Sequence, residues 1–275
     1  MKLRILAGVA VTAIMAGSAF AADMPLKAPA PALAYDWSGM YIGGVIGGGW
    51  SHDENSEPGL GILGTLVNFP VVQTTTGSGF IGGIEGGDRY QFGKLVIGWE
   101  ADMTWGQIGG SSNTAFGPSF FPPLTFNRTL NTTINWTGTA TSSVGIAHNN
   151  WLIYGKAGVA WANFSETDNS TVNLNLTGIG GPNISTPFFS GSGTGSTHDR
   201  VGWTVGTGIE WAIWNNWSVK VEYDYLDFGT RTTQVNGTVL PALGGGLGVS
   251  VGEQDTLHVS QVKAGLNWHI APNYW

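Results

Sequence analysis

His258, Val259 and Ser260 come closest in this sequence to catalytic machinery. On an extended chain, side chains two residues apart share a face. A histidine beside a serine can act as base and nucleophile in ester hydrolysis. Asp255 is the nearby acid, and no acid is clearly placed on the same face to orient the imidazole. The plainer reading is a hydrogen-bonded pair at a strand end. The histidines His52, His148, His198, His258 and His269 are scattered without metal-ligand spacing. His52 and His198 fall in stretches read as loops, where an imidazole could ligate haem. The glycine run 43–49 lacks the lysine and the following helix of a phosphate loop. No metal site and no cofactor are expected.

A larger set of reactive side chains is ordered by position. Glu85, Arg89, Glu100, Asp102, Lys156, Arg200, Glu210, Lys220, Glu222, Asp224 and Lys263 all fall on one parity of alternating segments. From Trp217 to Phe228, one face carries Trp217, Val219, Val221, Tyr223 and Tyr225. The other carries Ser218, Lys220, Glu222 and Asp224. A strand segregates such residues automatically and a helix does not. The same alternation runs through 95–106, 151–163 and 200–214, and more faintly through 40–50, 80–92, 136–147 and 257–270. Eight strands are therefore predicted. Tight turns fall at 91–94, 148–150 and 214–217. The other connections, near 51–79, 107–135, 164–199 and 229–255, are long and rich in Gly, Ser, Thr and Asn. Short turns at one end and long loops at the other mark a transmembrane barrel.

The apolar parity holds only Asp88 and Asp227 among charged residues, both near strand ends. It also holds Trp50, Trp105, Trp136, Trp151, Trp161, Trp211, Trp217 and Trp268. The interior of eight strands has no room for so many indoles. They are expected outside, as aromatic girdles at the lipid–water boundaries. The charges then point into the lumen, where Glu100, Asp102, Glu222 and Asp224 are expected to compete for Lys156, Lys220 and Lys263, with Glu85, Arg89 and Glu210 in the same network. Ions buried this way persist only if paired. Small inward residues such as Gly206 and Gly208 leave them space.

Composition agrees. Of 275 residues only 11% are charged, 44 are glycine, 13 are tryptophan and none is cysteine. A disulfide scaffold is excluded. The net charge of −7 argues against a nucleic-acid partner. Lys2 and Arg4, an uncharged apolar run and Ala19-Phe20-Ala21 form a signal-peptide pattern over 1–21. A Pro/Ala-rich periplasmic tail follows over 22–36, and the barrel is assigned to 37–275.

Five segments carry a family resemblance. Asp36–Gly44, Gly79–Glu85, Tyr154–Ala160, Asn216–Tyr223 and Val262–Trp268 resemble, in order, strands of small alpha-proteobacterial outer-membrane proteins, the OmpA-like, opacity-type eight-stranded porin family. One departure is Ile270, which stands where the family's last strand usually closes on an aromatic. Trp275 has the opposite parity to Trp268. The resemblance implies an all-β, antiparallel up-and-down barrel in a Gram-negative outer membrane, without catalytic residues. Lipid, lipopolysaccharide and the barrel-assembly machinery are the expected partners. The expected role is structural, with at most a narrow porin-like conductance. The alternatives are a surface module binding haem or a host molecule through its loops, and a lipid hydrolase built on His258 and Ser260.

Overall fold

The computed structural model describes residues 35–57, 71–116, 124–175, 185–194, 198–214, 216–239 and 247–270. The signal peptide, most of the tail and residues 271–275 lie outside the described residues. The strands are β1 (Gly39–Glu57), β2 (Val71–Phe92), β3 (Leu95–Phe116), β4 (Leu124–His148), β5 (Trp151–Asn175), β6 (Ser185–Thr194), β7 (His198–Trp214), β8 (Trp217–Val239) and β9 (Leu247–His269).

Eight of them close a barrel. Each pairs antiparallel with its sequence neighbour, β5 with β7, and β9 closes on β1 from Tyr41 opposite His269 to Ser56 opposite Gln254. The ninth, β6, was not anticipated. It pairs along the far half of β5 and touches β8 at Phe189–Gly191. It takes the place beside β5 beyond the start of β7. The turns at Gly93 and Asn149 carry positive φ (62° and 55°), the backbone that two-residue hairpin connections demand.

The strands run further than the alternation suggested. A bilayer needs about 9–11 residues per tilted strand, whereas β4 and β5 have 25 each. Much of the stretches 51–79, 107–135, 164–199 and 229–255, read above as loops, is strand. Three predicted strand ends, at Gly106, Trp136 and Phe228, are register shifts in continuing strands, between Trp105 and Ile108, Ile134 and Trp136, and Asp227 and Thr230. The bulge at Asn135 inverts parity. Arg128, Leu130, Thr132 and Ile134 point inward on even numbers, and Thr137, Thr139 and Thr141 on odd ones.

Along each of the eight barrel strands one stretch presents apolar side chains outward and polar ones inward. Glu100, Lys156 and Glu222 are buried to 5% exposure or less, while Val221 is 55% exposed. Outward side chains turn polar beyond Trp50, where His52, Glu54 and Ser56 follow at the same parity. The barrel therefore has an apolar belt and, on the side of the long connections, a water-facing extension. Val221 sits in mid-belt, and Val221→Arg is expected to destabilise the barrel in lipid vesicles by about 2–4 kcal/mol. The urea midpoint by tryptophan fluorescence measures this, and a negligible cost would mean that this face meets water.

Candidate functional site: the layered lumen

At the periplasmic mouth, Trp37 is fully buried beneath the barrel end. Its backbone N–H donates to Gln91 Oε1 (2.8 Å), and the Gln91 N–H donates to Ser38 Oγ (3.1 Å). Tyr35 packs edge-on at 4.8 Å. Val96, Ala147, Leu152, Tyr154 and Ala212 complete this apolar floor. Just inside, Arg89 pairs with Glu210 at 2.8 Å and lies 4.2 Å from the Tyr41 ring centre. Glu210 also accepts from Ser218 Oγ and from Asn267 Nδ2 (3.2 Å).

The middle of the lumen is an ion-pair cluster. Lys156 Nζ is 3.0 Å from Glu100, 2.7 Å from Glu222 and 3.3 Å from Asp224. Lys220 Nζ is 2.7 Å from Glu85 and 3.1 Å from both Glu100 and Glu222. Lys263 Nζ is 3.2 Å from Asp102 and from Glu222, and 2.6 Å from Asp224. Every one of these side chains is buried. Tyr41 and Tyr154 donate their phenol protons to Glu100 and Glu222, each at 2.6 Å. Glycine makes the crowding tolerable. A Cβ at Gly206 would stand 2.1 Å from Asp224 Oδ1, and one at Gly208 2.6 Å from the Tyr154 hydroxyl. Glu100, Asp102 and Glu222 each bring a carboxylate oxygen within 4.8 Å of the others, as a metal site would. Here the three ammonium groups supply the positive charge among them, so the arrangement stands as an ion-pair network.

Above the cluster the lumen turns apolar. Ile81, Ile108, Ile134, Phe164, Leu226, Leu257 and Val259 form one buried group contributed by β2, β3, β4, β5, β8 and β9. Beyond it, inside the extension, a second polar layer begins. Arg200 clasps both oxygens of Asp255 through Nη2 and lies 4.4 Å from the Phe164 ring centre. Arg128 pairs with Asp168 at 2.8 Å. Asp53 accepts from Thr132 Oγ1 (3.1 Å), and burial together with the Asp255 charge pushes its pKa up to about 6.

On the outside, the girdle residues Trp50, Trp105, Trp151, Trp161, Trp211, Trp217 and Trp268 are exposed, as are Trp99, Trp203 and Trp214, while Trp136, beside the bulge, is half-buried. Trp105 faces Trp136 across β3 and β4. Trp151 stacks on Trp211 at 5.4 Å across β5 and β7. At the end of β9, Trp268 is exposed and His269 is buried, and Ile270 just beyond the strand is exposed, so the alternation of Val262 and Leu266 continues to the end.

His258 and Ser260 also face outward, beside a recess of about 420 Å³ next to Trp50. Asp255 does not serve them: it points into the lumen and is held by Arg200. The acid beside His258 is Asp227, opposite it on β8, with Oδ2 3.6 Å from Nδ1. The Tyr225 hydroxyl is 3.0 Å from that same nitrogen, and Ser260 Oγ is engaged by the Tyr223 hydroxyl at 3.1 Å. His52 and His198 lie in β1 and at the start of β7, not in loops. His52 faces outward and contacts Glu54 at 3.3 Å. Parity alone flags Tyr41 and Tyr154. Trp37 and the Arg128 layer carry no sequence signal, since the one lies before the first strand and the other beyond a bulge.

Known proteins bear on this architecture. The 31 kDa outer-membrane immunogenic protein of Brucella melitensis is 32% identical over 244 residues, covering 84% of this chain and 89% of that protein. The 22 kDa outer membrane protein of Rhizobium leguminosarum is 24% identical over 153 residues, covering 56% and 54%. Among solved structures, OprG of Pseudomonas aeruginosa aligns over 86% of this chain and 99% of its own, at 14% identity and a TM-score of 0.40. The family model for the outer membrane protein beta-barrel domain matches residues 7–269. This chain is an outer-membrane β-barrel and belongs to that family.

Proposed function

We propose that this protein is a structural barrel of the outer membrane that anchors a rigid polar extension on the cell surface, and that its lumen is a packed interior instead of a pore. The observation that carries this reading is the continuous fill of the lumen: aromatic floor, ion-pair cluster, apolar layer, second polar layer. A chain of water molecules cannot cross an apolar layer packed like a protein core, because such packing leaves few voids as large as one water. Paired charges rigidify the barrel in place of a soluble core.

The purified full chain in planar bilayers is expected to give at most brief, small openings. Large steady conductance would overturn the filled-lumen reading. The strand extension carries polar strand ends beyond the apolar belt, which suits a surface that meets lipopolysaccharide or host molecules. The Brucella relative is named as immunogenic, which accords with such an exposed surface here. Insertion would proceed through the barrel-assembly machinery. We read the chain as non-catalytic, because the Ser260 hydroxyl is engaged by a tyrosine and the relatives carry no enzyme name.

A further inference from the structure

We propose that the extracellular layer of the lumen holds a hard divalent cation of the calcium class, bound by oxygens of Asp53, Asn55, Gln73 and Thr75. These residues form two directly opposed pairs on β1 and β2, Asp53 with Thr75 and Asn55 with Gln73. All four side chains point inward and are at most 3% exposed. Each carries one buried oxygen without a hydrogen-bond partner among the described residues: Asp53 Oδ1, Asn55 Oδ1, Gln73 Oε1 and Thr75 Oγ1.

The polarity is one-sided. Both amides spend their N–H groups on the protein, Asn55 on Asp53 Oδ2 (3.4 Å) and Gln73 on Ser112 Oγ (2.9 Å), leaving their carbonyl oxygens free. The free atoms of Asp53, Asn55 and Gln73 are acceptors and Thr75 adds a hydroxyl oxygen, an oxygen set that suits a cation. Buried acceptors without partners are costly. Opposed and next-but-one neighbours on a sheet stand about 5–7 Å apart, so four such oxygens can reach one ion. Oxygen-only, mixed carboxylate, amide and hydroxyl ligation suits Ca²⁺, which accepts irregular shells, better than Mg²⁺. The local charge agrees. Arg200 is held by both oxygens of Asp255 and lies on the Phe164 ring, and Asp53, Asp255 and Arg200 together carry one net negative charge. Water can complete the shell from the extracellular side.

The test uses the full chain refolded in detergent and stripped with chelator, followed by thermal melting and Ca²⁺ titration calorimetry. Ca²⁺ is expected to bind with a dissociation constant on the order of 10⁻⁴–10⁻³ M and to raise the melting temperature. NaCl at matched ionic strength should not. Asp53→Asn, which keeps shape, is expected to weaken binding at least about tenfold. Asn55→Asp should tighten it, and Glu54→Gln, an exposed outward neighbour, should leave it unchanged. The proposal is overturned if Ca²⁺ gives no shift in the unaltered chain, if NaCl gives the same shift, or if Asp53→Asn responds like the unaltered chain. Should Asp53→Asn fail to refold, Asn55→Asp and Gln73→Leu decide, by tighter and weaker binding respectively.

Discussion

Lys220→Met is expected to lower the unfolding free energy of the barrel by about 3–5 kcal/mol. The ammonium touches Glu85, Glu100 and Glu222 within 3.1 Å and is fully enclosed. Methionine fills a similar volume, so the loss is electrostatic and not a packing defect. Glu100 keeps Lys156, and Glu222 keeps Lys156 and Lys263, but Glu85 loses its cation among the described residues and is left with neither water nor a counter-ion, which costs more than the pair contributed. The effect should be non-additive. Adding Glu85→Gln to Lys220→Met removes one stranded carboxylate and is expected to restore at least about 1 kcal/mol, the scale of coupling between residues in one network. Urea titrations of the refolded protein in vesicles measure both values. A loss below about 1 kcal/mol would mean that water hydrates these side chains, and the packed-lumen account would fail with it.

Trp37→Ala should cost about as much, about 3–5 kcal/mol, by a different route. The indole is fully buried against Tyr35 and against His269 at 5.8 Å, and it roofs Arg89 at 5.9 Å. Alanine would leave a cavity at the periplasmic mouth that the surrounding strands, fixed by their ladders, cannot close. Water would then reach the Arg89–Glu210 pair. Trp37→Phe should retain most of the stability, because it keeps an apolar ring over the guanidinium. The same urea series reads the loss. Hydrogen exchange at the N–H groups of Gln91 and His269, bonded to Ser38 Oγ and to the Asn216 carbonyl, should quicken in Trp37→Ala alone. Unchanged exchange would mean that the segment before β1 is an ornament on an independently closed barrel.

Alternation within the membrane belt was legible from residues alone, because lipid and lumen impose opposite chemistry on successive side chains. Lys220, Glu222 and Asp224 against Val219, Val221 and Tyr223 admit one arrangement in a bilayer. Turn positions followed from Gly93 and Asn149. Where the belt ends, this contrast disappears. Beyond Trp50 both faces of β1 are polar, so His52, Asp53, Glu54 and Asn55 read as loop although the strand continues without a bulge. At Asn135 the bulge inverts parity, and no local residue type announces that Arg128 and Thr137 both point inward.

Which acid meets which base was equally closed to the sequence. Glu85, Lys156 and Lys263 lie on strands whose distances across the lumen depend on barrel closure, and Asp227, not Asp255, is the neighbour of His258 only because β8 pairs with β9 in one register. Strand pairing is a long-range choice, fixed by closure of the whole ring. The pattern along each strand is a local response to the solvent on its two faces.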